Sequence, residues 1–103
     1  MKPTFKMYVK PNCPYCTKAR DLIVNYLGLR AEIHDVTDRN TLRNELIEET
    51  GITTVPIIFL GSELIGGCSD LQEIIREGKM EMLLLKEENH LLKEEILRLR
   101  RSF

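Results

Sequence analysis

The sequence predicts an α/β fold: a four-stranded mixed sheet flanked by helices, with a long helix at the C-terminal end. Three observations carry this expectation. Short apolar or alternating runs take turns with segments of helical spacing, and Gly or Pro stands at the junctions. A Cys13-Pro14-Tyr15-Cys16 stretch sits where the first strand gives way to the first helix. From Met82 onward, apolar residues recur at a heptad spacing that the closing helix of a small domain does not need.

Phe5 to Val9 alternates and is rich in β-formers, so it reads as a strand ending at the Pro11-Asn12 turn. A helix follows from Pro14 to about Leu27, with Ala19, Leu22, Ile23, Tyr26 and Leu27 as its apolar positions and Gly28 to end it. Ala31 to Val36 is a second strand, with Ala31 and Ile33 on one face and His34 on the other. Asp38 is placed to cap a helix that runs to about Thr50, buries Leu42, Leu46 and Ile47, and stops at Gly51. Val55 to Leu60 reads as a buried strand and Glu63 to Ile65 as its hairpin partner, broken by Gly66-Gly67. A short helix then begins at Cys68 or Ser69, carries Leu71, Ile74 and Ile75, and ends near Gly78. In the closing helix Met80, Leu83 and Leu84 are expected to face the core.

Composition bounds the chemistry. With 103 residues the chain is one small domain, or one with an appendage. Three cysteines, an odd number with two of them in a CxxC, do not suit a secreted disulfide framework, so a reducing, cytoplasmic compartment is expected. The first residues lack the apolar core of a signal peptide, and no run approaches the ~20 residues of a membrane span. A net charge of −1, with acids and bases interspersed, excludes the electrostatic footprint of a nucleic-acid binder.

Two thiols one helical turn apart form a reversible redox couple. With a helix starting at Pro14, Cys13 caps its positive end, which favours the thiolate, the reactive species in disulfide exchange. Cys16, a turn further in, is then the thiol that closes the ring. A structural zinc site would need a second close Cys or Cys/His pair, whereas Cys68, His34 and His90 are scattered singly, so no metal is expected. A CxxC at a strand-to-helix turn of such a mixed sheet reads as thioredoxin-like.

Three separated strings, Lys10-Pro11-Asn12-Cys13-Pro14-Tyr15-Cys16, Thr54-Val55-Pro56 and Gly66-Gly67-Cys68-Ser69-Asp70, resemble the dithiol glutaredoxins over about residues 4 to 85. The resemblance implies a glutathione-dependent thiol–disulfide oxidoreductase that reduces protein disulfides and glutathionylated proteins, with glutathione as reductant. Cys13 would be the nucleophile and Cys16 the resolving thiol. Lys10 would favour the thiolate and meet a glutathione carboxylate, and Tyr15 would shield the pair and contact glutathione. Thr54, Val55 and a cis Pro56 would offer main chain to its cysteinyl part, and Gly67, Cys68, Ser69 and Asp70 would hold its γ-glutamyl end. As alternatives, Lys10 is a solvated turn lysine and Asp70 a first-turn acid serving its own helix. One departure stands out: relatives often carry Arg just before Thr-Val-Pro, where this chain has Ile52 and Thr53, leaving Lys10, Arg39 or Arg43 to meet the glycyl carboxylate.

The tail adds an expectation of its own. Met82, Asn89 and Ile96 fall at heptad position a, with Phe103 next in the pattern, and Leu85, Leu92 and Leu99 fall at d. Glu81, Glu88 and Glu95 fall at g, Lys86, Lys93 and Arg100 at e, and an Asn at a specifies two strands in register. The stretch resembles a leucine zipper, so the division expected is a catalytic domain over 1–84 and a helical extension over 85–103, pairing as a parallel homodimer. The other arrangement is a helix folded back through Leu83, Leu84, Leu91 and Leu97. Two further functions stay open: a dimeric carrier holding an iron–sulfur cluster between Cys13 thiolates and glutathione, and an adaptor whose zipper docks another coil.

Overall fold

In a computed structural model, which describes residues 2–102, the elements run β1 (Thr4–Val9), α1 (Pro14–Asp21), β2 (Arg30–Asp35), α2 (Asn40–Thr50), β3 (Ile57–Leu60), β4 (Glu63–Gly66), α3 (Cys68–Arg76) and α4 (Met80–Arg101). The four-stranded sheet has the order β2-β1-β3-β4. β1 pairs parallel with β2 and antiparallel with β3, and β4 pairs antiparallel with β3. This is the predicted mixed sheet with a long final helix.

Alternation along the central strands divides the core into two layers. Phe5 and Met7 of β1 and Ile58 and Leu60 of β3 pack with Ala19 and Ile23, Leu71 of α3 and Met80 of α4. The opposite-facing Tyr8, Ile57 and Phe59 pack with Val36, Leu42 and Leu46. Helices α1, α3 and α4 therefore cover one face and α2 the other. Phe5, Met7, Ile23, Ile58, Leu60 and Leu71 are fully buried, each contributing about 1.5–3 kcal/mol of hydrophobic stabilisation.

Two local expectations are corrected. α1 gives way at Leu22–Tyr26 to a wider π turn, closed by Leu27 N–H donating to the Leu22 carbonyl at 2.9 Å. The extra residue rotates the following side chains, so Tyr26 is 70% exposed rather than part of the buried stripe. Asp38 does not cap α2, which begins at Asn40 with no side-chain cap bond at Arg39. The turn is made earlier: the Asp35 carboxylate accepts from the Thr37 hydroxyl and from the Thr37 N–H at 2.8 Å. Those two bonds, the hydroxyl's first, hold the Asp35 carboxyl below its usual range. Gly51 ends α2 as expected, in the left-handed conformation with φ +75°.

α4 is one unbroken helix of 22 residues, about 33 Å long. Met80 is buried in the core, and Leu83 and Leu84 pack against it. Further on, Lys86 Nζ lies 3.7 Å from Glu63 Oε2 and the buried Glu87 side chain covers Gly61. Phe103, next in the heptad pattern, lies outside the described residues. No helix among the described residues is long and apolar enough to cross a membrane.

Candidate active site

β1 delivers the chain to the site, and its end is anchored by Val36 N–H donating to the Val9 carbonyl at 2.9 Å. The Pro11-Asn12 turn follows, with Asn12 at φ 56°, a conformation that Asn tolerates well. Pro14 opens α1, where its missing N–H leaves no donor unpaired, and Cys13 is the N-cap. The Cys13 and Cys16 sulfurs are joined as a disulfide, with Cα atoms 5.2 Å apart. Cys16 N–H points at Cys13 Sγ, 3.2 Å away. A negative sulfur at Cys13 would thus meet a backbone donor and the positive end of a helix.

The sulfur pair lies between two clefts. One, of about 490 Å³, is lined by Tyr15, Ile52, Thr54, Val55, Pro56, Gly67, Cys68, Ser69, Asp70 and Gln72. The Val55–Pro56 bond is cis, and Cys13 Sγ lies 3.8 Å from the Val55 carbonyl oxygen, so the thiol pair borders this groove. Tyr15 is 65% exposed, a rim residue and not a core aromatic. At the groove's far wall α3 begins at Cys68, and Asp70 Oδ2 accepts the Gly67 N–H at 2.8 Å. Cys68 is a buried free thiol, and burial, partly opposed by the Lys18 charge, pushes its pKa up. The second cleft, of about 370 Å³, lies along α1 and carries Lys10, Asn12, Cys13, Cys16, Thr17, Arg20 and Ile33.

Eight of the nine residues expected around glutathione therefore share one groove, and Lys10 lines the other cleft instead. Gln72 in the groove and Thr17 and Arg20 in the second cleft were not anticipated. Each stands one helical turn beyond a residue that was: Gln72 beyond Cys68, Thr17 beyond Cys13, Arg20 beyond Cys16. Arg39 lines a separate cleft of about 590 Å³ with Asp38, Asn40 and Glu45, which holds no thiol. His34 has a structural setting, stacked on Tyr8 with ring centroids 5.3 Å apart and bonded to Glu32.

The glutaredoxin family model matches residues 5–65. The chain belongs to the glutaredoxin family. Pig glutaredoxin-1 is 35% identical over 79 residues, covering 72% of this chain and 74% of that protein. A glutaredoxin of Pseudomonas aeruginosa is 37% identical over 82 residues, covering 80% of this chain and 96% of its own. Among solved structures, a buckwheat glutaredoxin–glutathione complex superposes with a TM-score of 0.75 at 28% identity, covering 84% of this chain and 80% of that one. This glutaredoxin is accordingly a thiol–disulfide oxidoreductase, and its Cys13–Cys16 disulfide is the oxidised form of such a couple.

Proposed function

We propose that this glutaredoxin reduces protein disulfides and glutathione mixed disulfides at the expense of glutathione, with Cys13 as nucleophile and Cys16 as resolving thiol. The single observation that carries this is the Cys13–Cys16 pair beside a groove made of Val55, Pro56 and the start of α3. A tripeptide has little side-chain area, so a site for it must work largely through main chain. Val55 ahead of β3 and Gly67 ahead of α3 supply that main chain, as an added strand would find it.

With a mixed disulfide, the Cys13 thiolate attacks the glutathione sulfur, and the protein thiolate leaves and takes a proton. Cys13 then carries glutathione until a second glutathione thiolate attacks that sulfur, releasing glutathione disulfide and restoring Cys13. With a protein disulfide, Cys13 forms the mixed disulfide and Cys16 attacks the Cys13 sulfur. The substrate leaves as a dithiol, the Cys13–Cys16 disulfide remains, and two glutathiones reduce it. In this scheme Tyr15 covers the bound tripeptide, Thr54, Val55 and Pro56 hold its cysteinyl part, and Gly67, Cys68, Ser69 and Asp70 its γ-glutamyl end. Lys10 approaches from the other cleft, toward the thiolate and the glycyl carboxylate. Residues 1–84 act as the catalytic domain and 85–103 as an extension through which the chain forms a homodimer.

The test is a pair of variants assayed with a glutathionylated peptide and with a protein disulfide, glutathione being varied. Cys13→Ser should lose both activities. Cys16→Ser should keep the first and lose the dithiol route. Turnover that does not depend on glutathione concentration, or a Cys13→Ser chain that still works, would sink the proposal.

A further inference from the structure

α4 carries two apolar faces, and the chain itself uses only one. Met80, Leu83, Leu84 and Glu87 lie against the domain. At about 100° per residue, Met82, Leu85, Asn89, Leu92, Ile96 and Leu99 fall on roughly the opposite side. Every apolar member of that stripe is at least half exposed, from 50% for Ile96 and Leu99 to 74% for Met82. A continuous bare stripe of this kind marks an association surface. The face docked on the core accounts for Leu83 and Leu84, which a zipper alone leaves without a role.

We infer that the stripe pairs in parallel with the same stripe of a second copy, in a coil running out from the end of the sheet opposite Cys13, so that both catalytic turns stay open and apart. Charge selects this partner and this direction. In a parallel pair, Glu81, Glu88 and Glu95 of one copy meet Lys86, Lys93 and Arg100 of the other. An antiparallel pair sets acid against acid and base against base, and places Asn89 opposite a leucine instead of its twin. Glu81, Glu88, Lys93 and Arg100 have no ion-pair partner among the described residues, while Lys86 and Glu95 exchange their partners Glu63 and Arg98 on pairing. Three heptads nucleate a helix poorly on their own. Here the first turns are already docked on the core, so the coil extends an existing helix.

The direction follows from the strands. β1 runs toward Cys13, and Gly61 N–H donates to the carbonyl of Thr4 at its start, so the Gly61–Ser62 turn lies at the far end of the sheet. α4 packs in the core at Met80 and reaches that turn at Lys86 and Glu87. Residues 91–101 continue past it, about 16 Å of helix. A coil built there faces away from both sulfur pairs. It cannot bring two Cys13 thiolates together, so pairing through α4 does not assemble the cluster carrier left open by the sequence. It yields instead two open sites on one stalk.

The arrangement leans on the proposed redox function only for what the two sites do, and the two are measured separately. Sedimentation at tens of micromolar should give a dimer, and Leu92→Glu a folded monomer with unchanged turnover per site. In a chain whose three native cysteines are Ser, Asn89→Cys should crosslink to a dimer on mild oxidation, because equivalent a positions adjoin only in a parallel, in-register coil. With Cys13 as sole cysteine, crosslinking should run no faster in the dimer than in the Leu92→Glu monomer. A monomeric parent chain or an uncrosslinked Asn89→Cys overturns the pairing. Faster Cys13 crosslinking in the dimer overturns the orientation. A dimer without glutathione-dependent turnover overturns the proposed function alone.

Discussion

Asp70 offers the sharpest test of how the groove is built, because one carboxylate has two tasks in the proposed function. Its Oδ2 takes the Gly67 N–H at 2.8 Å, and it stands in the first turn of α3, on the groove wall. Asp70→Ala removes the cap bond and the charge. Losing the hydrogen bond that this third-position acid makes to the N-cap N–H, together with its charge, costs about 1–2 kcal/mol, which in a domain of this size lowers Tm by roughly 5–15 °C. Asp70→Asn keeps an oxygen to accept the bond and loses only the charge at the helix N-terminus, about 0.3–1 kcal/mol. Thermal melts should therefore rank parent, Asn and Ala in that order. Binding should rank differently. In the proposed function this carboxylate faces the glutathione ammonium and is lost equally in both variants, so KM for a glutathionylated peptide should rise about 5- to 30-fold in each, the equivalent of about 1–2 kcal/mol. Equal melts for Asn and Ala would refute the cap. An unchanged KM in Asn would refute the ammonium contact and leave Asp70 as a helix acid alone.

Gly66→Ala should be worse than Gly51→Ala although both glycines have positive φ. At Gly51 a Cβ meets nothing within 4 Å, so only the backbone preference of about 1 kcal/mol is lost. At Gly66, with φ +119°, the Cβ lands on the Asp70 carboxylate, so urea unfolding should show the larger loss and KM for glutathione should rise with it. Burial raises the Cys68 pKa, so the fold favours its neutral thiol. That contribution is complete below the ordinary thiol value of about 8.5 and declines as pH rises from there toward the folded value. With Cys13 and Cys16 oxidised, the parent should lose stability relative to Cys68→Ala above about pH 8.5; parallel curves would contradict the assigned burial effect.

The element order was legible because each junction carries a residue with a backbone reason to be there: Pro14 opening α1, Gly51 closing α2, Gly66 and Gly67 leading into α3. What could not be read was register within an element. Nothing in Leu22 to Leu27 announces a π turn, since its apolar spacing is compatible with a continuous α-helix, and the shift in hydrogen bonding leaves Tyr26 facing outward. The α2 start is not legible because the turn ahead of it is made by Asp35 with Thr37, and Asp38 makes no cap bond to the helix. At the site, main-chain features tied to Gly and Pro were foreseeable. The flank on which Lys10 stands was not, because a long side chain after a strand end can lean to either side of the thiol pair.

The two borders of the sheet bear on how the protein behaves at high concentration. β2 is one border, and Arg30, Glu32 and Asp35 stand exposed along it. β4, the other, has only four residues, and its pairing with β3 shifts register between Ile58 and Phe59. Charge on one side and brevity with a bulge on the other are the features that keep open strands from templating a neighbour. Strand-to-strand growth into fibres is thereby discouraged at both ends.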